Sequence, residues 1–105
     1  MTNSNSSDLR SSPATVSVTG LGYVGMPLAL ALAKHVNVVA FDVSEHAINR
    51  LMHCAEQAQN IIASTNPQIL QAALFHIIAV PTPTSLGQPD LSHLIAAFHS
   101  LGPQL

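Results

Sequence analysis

A short β-branched segment, Thr15 to Thr19 (TVSVT), runs directly into glycines at 20, 22 and 25 and from there into an apolar stretch with helical spacing, Val24 to His35. Strand, glycine turn and helix in immediate succession leave few folds open. In that setting Gly20 makes the tight turn, Gly22 lets a ligand phosphate approach the backbone, and Gly25 lets the helix pack closely on the strand. The free N–H groups at the start of the helix then face an anion, with the helix dipole favouring negative charge there. Pro27 falls in the first turn, where its missing N–H costs nothing. Asn37 to Phe41 (NVVAF) is an apolar run of the kind that forms a strand buried on both faces. It ends at Asp42, about 20 residues beyond Gly20, where a carboxylate accepts hydrogen bonds from ribose hydroxyls. The same carboxylate repels a 2′-phosphate, so the expected ligand is NAD rather than NADP.

The remaining pattern continues the alternation. Ser44 is a good N-cap, with Glu45 in the first turn and Ala47, Ile48, Leu51, Met52, Ala55 and Ala58 on one face, so a second helix is predicted to about Gln59. Ile61 to Ser64 reads as a short third strand. Gln68 to Ala73 reads as a short helix introduced by Asn66 and Pro67. Phe75 to Val80 is predicted to be another doubly buried strand, broken by Pro81-Thr82-Pro83, and Asp90 or Ser92 to cap a last helix carrying Leu94, Ile95, Ala97 and Phe98. Strand and helix in alternation mean a parallel sheet with right-handed crossovers. The predicted fold is α/β, a four-stranded half of a Rossmann-type doubly wound sheet in order 3-2-1-4.

Composition narrows the function classes. The 105 residues make one domain at most, 48% of them hydrophobic and only 8% charged, against about 25% charged in an ordinary soluble domain. Such a neutral surface is expected to pack against more protein. A net charge of -2 gives too little positive potential to hold a nucleic-acid backbone. Residues 1–13, rich in Ser and Asn, read as a leader without structure, leaving 14–105 as a partial nucleotide-binding domain. No apolar run is long enough for a signal peptide or a membrane span, and the lone Cys54 has no disulfide partner, so a cytoplasmic protein without a membrane partner is expected. Cys54, inside a predicted helix, is not read as a nucleophile. The six histidines (His35, His46, His53, His76, His93 and His99) show no metal-ligand spacing, and His76 is expected to point from its strand toward a covering helix.

The segments VTGLGYVGMPLALALAK, FDVSEHAINRL, IIAVPTP and QPDLSHL, in this order, resemble the opening of the UDP-glucose/GDP-mannose dehydrogenase family. The PTP and PDLS wording most resembles the UDP-N-acetylhexosamine 6-dehydrogenases of surface-polysaccharide synthesis. The resemblance implies an NAD-dependent oxidoreductase, homo-oligomeric in the family, that oxidises the C6 alcohol of a UDP-sugar to a carboxylate with two NAD per sugar. It also implies that Gly22, Tyr23 and Val24 lie along the pyrophosphate, Asp42 on the adenosine ribose, and Val80, Pro81 and Thr82 on the cofactor beyond the fourth strand. Two departures stand out. Where the family usually carries Arg or Lys five residues after the aspartate, this chain has Ala47, with Arg50 one helical turn further on. The stretch between Leu51 and Ser64 is shorter than the family shows, which leaves the third strand and the sheet edge open. The sequence stops at Leu105, before the family's cysteine, lysine and asparagine, so no catalytic residue is assigned and the chain alone is expected to bind NAD weakly and to catalyse nothing. The alternatives are a truncated or decayed non-catalytic NAD-binding fragment, and another Rossmann oxidoreductase.

Overall fold

The computed structural model describes residues 15–55, 60–81 and 84–105. The predicted leader, the end of the second helix beyond Ala55, and Thr82 with Pro83 lie outside the described residues.

Four parallel strands, β1 (Thr15–Thr19), β2 (Asn37–Phe41), β3 (Ile61–Ser64) and β4 (Phe75–Ile78), form one sheet in the order β3-β2-β1-β4. This is the predicted order. Thr15 pairs with Asn37 and Thr19 with Phe41, so β1 and β2 stop in step and the chain leaves both at the same edge of the sheet. β3 pairs with β2 from Val38–Ile61 to Phe41–Ser64, so the short connection before it still delivers a full partner strand.

Side-chain alternation divides the sheet into two faces. Val18, Val38, Ala40 and Ile61 pack under α1 (Gly25–Leu32) and α2 (Glu45–Cys54), where Ala29, Ala47, Ile48 and Leu51 complete the larger core. Leu51 is fully buried, a side chain worth about 1.5–3 kcal/mol in burial. On the opposite face Phe41 and Ile78 meet Leu70 of a 3-10 turn (Pro67–Ala72) and Leu101 of α3 (Ser92–Leu101). Helices on both faces make the sheet doubly wound.

Local chemistry fixes the element ends. Ser44 caps α2, its hydroxyl accepting from the Ala47 amide at 3.2 Å. Asn66 caps the 3-10 turn through the Gln68 amide, with Pro67 at its first position as expected; the short helix predicted here is a 3-10 helix over Pro67–Ala72. α1 ends at Leu32 rather than His35, and Asn60 closes it, its side-chain amide donating to the carbonyls of Ala33 at 2.6 Å and Val36 at 2.7 Å. The Ala33 carbonyl, at the C-cap, is one that a helix end leaves without an intrahelical donor.

Three expectations change. β4 ends at Ile78 and is not buried on both faces: it lies at the sheet edge, and Phe75 is 62% exposed. Neither Asp90 nor Ser92 is the N-cap of α3. Leu91 holds that position, and Asp90 instead accepts from the Ser92 amide at 3.0 Å, which lowers its carboxyl pKa, helped by the Ser92 hydroxyl and by His93 nearby. His76 lies opposite Ser17 in the β1–β4 register, its Nδ1 2.7 Å from the Ser17 hydroxyl. A feature absent from the expectations is a two-stranded hairpin, β5 (Thr84–Ser85) with β6 (Gln88–Pro89), turned by Leu86 and Gly87 at φ 54° and 78°.

Candidate functional site

The strand ends and the glycine turn meet at one edge. Gly20 leaves β1 with φ 95°, and its amide donates to the Phe41 carbonyl at 2.8 Å, carrying the β1–β2 ladder one step past the strand. A side chain at Gly20 would strike the Ala79 carbonyl oxygen at 2.7 Å, and one at Gly25 would collide with the carbonyl of Gly20 itself. Gly22 is the opposite case: a Cβ there meets nothing within 4 Å. Two glycines are thus required by the fold, and the third leaves open space over the backbone.

Leu21, between the first two glycines, is held from three sides. Its side chain is fully buried in the α1/α2 core. Its amide donates to Asp42 Oδ2 at 2.8 Å, and its carbonyl accepts from Arg50 Nη2 at 3.1 Å. Asp42 uses its other oxygen, Oδ1, for the Ser44 amide at 2.8 Å. Each carboxylate oxygen keeps a further lone pair for a ligand hydroxyl. Beyond this fixed turn, the amides of Gly22, Tyr23, Val24 and Gly25 have no acceptor among the described residues, and α1 carries no acidic residue in its first turn. Unpaired amides at a helix start bind an anion. Tyr23 and Val24 are exposed beside them, with Tyr23 at 101%.

A cleft of about 210 Å³ opens past the carboxyl ends of β1, β2 and β4. Gly20, Leu21, Gly22, Asp42 and Val43 line one side, Val80 and Pro81 another, and α3 closes it with His93, Ala96, Ala97 and Ser100. Here β1 is flanked by β2 and β4, whose connections leave to opposite faces, and this is where open α/β sheets bind ligands. The structure therefore brings Gly20, Gly22, Asp42, Val80 and Pro81 to one cleft, while Tyr23, Val24 and Gly25 follow Gly22 at the helix start without lining it. The α3 residues were missed in the sequence, although their spacing of three, four and seven places them on one helical side. Thr19, which also lines the cleft, is 2% exposed and its hydroxyl has no hydrogen-bond partner among the described residues. Cys54 is exposed at the end of α2 and does not line the cleft. Among the described residues no group of three His, Cys, Asp or Glu is placed to hold a metal ion, and no helix is long and apolar enough to cross a membrane.

A doubly wound parallel sheet with a glycine turn entering a helix N-terminus, and an acid at the end of the next strand, defines a Rossmann-type dinucleotide-binding unit. The comparisons with known proteins are more specific. No family model matches the chain. It is 38% identical over 102 residues to a UDP-N-acetyl-D-glucosamine 6-dehydrogenase of Pseudomonas aeruginosa, covering 86% of this chain and 24% of that protein. It is 35% identical over 108 residues to an NDP-N-acetyl-D-galactosaminuronic acid dehydrogenase of Ralstonia nicotianae, covering 87% and 25%. Among solved structures, the UDP-N-acetyl-mannosamine dehydrogenase Cap5O of Staphylococcus aureus superposes with a TM-score of 0.75 at 28% identity, over 88% of this chain and 26% of that one. The chain is a homologue of the nucleotide-sugar dehydrogenases, matching their N-terminal part. It spans about a quarter of the length of these relatives.

Proposed function

We propose that this chain is the NAD-binding portion of a nucleotide-sugar 6-dehydrogenase that oxidises the C6 alcohol of a UDP-N-acetylhexosamine to a carboxylate, in the supply of surface-polysaccharide precursors. The observation that carries the reading is the cleft itself: open backbone at Gly22, unpaired helix-start amides and the Asp42 carboxylate stand together in a chain homologous to such enzymes. A dinucleotide fits this arrangement. In this reading the amides of Gly22, Tyr23 and Val24 hold the pyrophosphate, Gly20 and Gly25 shape the turn that presents them, and Asp42 accepts from the adenosine ribose hydroxyls. Val80, Pro81 and Thr82 bound the cofactor past β4, with α3 as the opposite wall.

When bound, NAD supplies a hydride acceptor, and two NAD molecules take up the four electrons released between alcohol and carboxylate. The part of that work done by the described residues is to bind and orient; the substrate-side groups belong to the rest of such an enzyme. NAD rather than NADP follows from Asp42, whose negative charge opposes a 2′-phosphate. A cytoplasmic location and a homo-oligomeric enzyme belong to the same reading.

Calorimetric titration of the folded chain with NAD and with NADP tests it. Saturable NAD binding, tighter than NADP binding, is the expected result. A chain with native circular dichroism that binds neither cofactor would overturn the reading.

A further inference from the structure

We propose that Arg50 is a phosphate-binding residue of this site, reaching the dinucleotide from the α2 side of the glycine turn; the inference rests on the dinucleotide reading above. Arg50 projects from the middle of α2 and crosses to the glycine turn, where Nη2 donates to the Leu21 carbonyl at 3.1 Å. That bond occupies one of five guanidinium N–H donors. No carboxylate among the described residues pairs with the others.

The guanidinium lies in a second cleft, of about 400 Å³, whose other walls are Gly22, Tyr23, Met26 and Pro27. Gly22 lines both clefts. Gly22 and Tyr23 line this cleft as well, and their amides have no acceptor among the described residues. Residues carrying donors of two kinds, neutral amides and a cation, thus share one cleft, whose other side chains are those of Tyr23, Met26 and Pro27. A planar guanidinium beside free amides matches the several acceptor oxygens of a phosphate group.

The rest of α2 offers no substitute. Ala47, one turn earlier, is buried against the sheet at 7% exposure, so its position contributes packing and no charge. Lys34 lies past the far end of α1. Among the described residues, Arg50 is the Lys or Arg side chain that reaches the turn before that helix. Its bond to Leu21 also holds it in place before a ligand arrives, which lowers the entropy lost on binding.

The phosphate is either the pyrophosphate or a 2′-phosphate, and the ligands chosen distinguish them. NAD, NADP and adenosine are titrated into the 105-residue chain and into its R50A and R50K variants, at low and at moderate salt. For the pyrophosphate, R50A weakens NAD about tenfold, as loss of a charge-assisted hydrogen bond does, and flattens the salt dependence while adenosine binding holds. R50K, with the charge but not the fork, falls between. For a 2′-phosphate, only NADP loses affinity. If R50A weakens adenosine as much as NAD, the residue merely holds the turn, and if it changes nothing, the side chain is a solvated surface group; either result overturns the proposal. A wild-type chain that binds none of the three removes the dinucleotide reading, and this inference with it.

Discussion

The carboxylate of Asp42 accepts the amide hydrogen of Leu21 at 2.8 Å, joining the end of β2 to the turn that follows β1. The acid is therefore part of the frame of the site as well as a group that meets a ligand. Its second oxygen, on the Ser44 amide, fixes the entry to α2 in the same way. Asp42→Ala removes both bonds. Because hydrogen bonds to charged groups contribute about 1.5–3 kcal/mol, NAD affinity is expected to fall about tenfold or more. The difference between NAD and NADP should narrow as the repulsion of a 2′-phosphate disappears. Parallel titrations of the two cofactors check this, and an unchanged NAD affinity would remove Asp42 from the site.

Gly22 and Gly25 should separate binding from folding. An alanine at Gly22 meets open space, so Gly22→Ala is expected to leave the melting temperature within about a degree while weakening NAD, since the methyl occupies the approach of the phosphates. An alanine at Gly25 collides with the Gly20 backbone, which cannot rotate away as a side chain would. Gly25→Ala is expected to destabilise the chain by about 2–3 kcal/mol or more. Thermal melts with and without NAD read both effects, and equal melting temperatures for the two variants would contradict the assignment.

Asn60→Ala deletes the two donors that close the end of α1. Two carbonyls lose their partners, at a cost of about 1–3 kcal/mol in stability. Urea unfolding followed by circular dichroism measures it. A midpoint equal to that of the wild type would mean that solvent replaces both bonds without cost.

Thr19→Val removes a buried hydroxyl that has no partner among the described residues. Replacing it with an apolar group of the same shape is neutral or stabilising, by up to about 1–2 kcal/mol. A melting temperature below that of the wild type would show that the hydroxyl makes a bond the native chain depends on.

Asp90 gives a pH signature. The Ser92 amide and hydroxyl, then His93, hold its folded-state pKa below the ordinary carboxylate value. The stabilisation it contributes is therefore present above the unfolded-state pKa and is lost as pH falls through the lower, folded-state one. In an NMR titration the Asp90 carboxyl should titrate below an unstructured aspartate, and the Ser92 amide signal should move with it. A midpoint at or above the ordinary value would mean that the Ser92 contact does not persist in solution.

Much of this was legible because glycine and aspartate carry position-specific meaning. The segment TVSVT before Gly20, and Asp42 after an apolar strand, located the strand ends that form the cleft, and Ser44 marked the start of α2. The rest needed three dimensions. FHIIAV reads as a doubly buried strand because it is apolar, but apolarity does not say how much of each face is covered, and β4, at the edge where the predicted order put it, is left half-open. The hairpin escaped notice because Leu86, not Asn or Asp, takes the first positive-φ position of its turn. Arg50 stands away from the aspartate in sequence, and its side chain reaches the glycine turn only because α1 and α2 share a face of the sheet. The contribution of α3 to the cleft was hidden for a similar reason: small residues such as Ala96 and Ala97 signal packing, and what they pack beside is set by the crossover.

The open side of β4 has a practical meaning for work with this polypeptide. Phe75 to Ile78 carry no formal charge, no proline and no bulge, the devices by which natural edge strands discourage unwanted pairing. Among the described residues no strand pairs with its outer side, so those main-chain groups can template an arriving extended segment, and Leu74 and Phe75 beside them are well exposed. Self-association of this polypeptide in storage should therefore rise with its concentration, and a lysine in place of Phe75 should lower it.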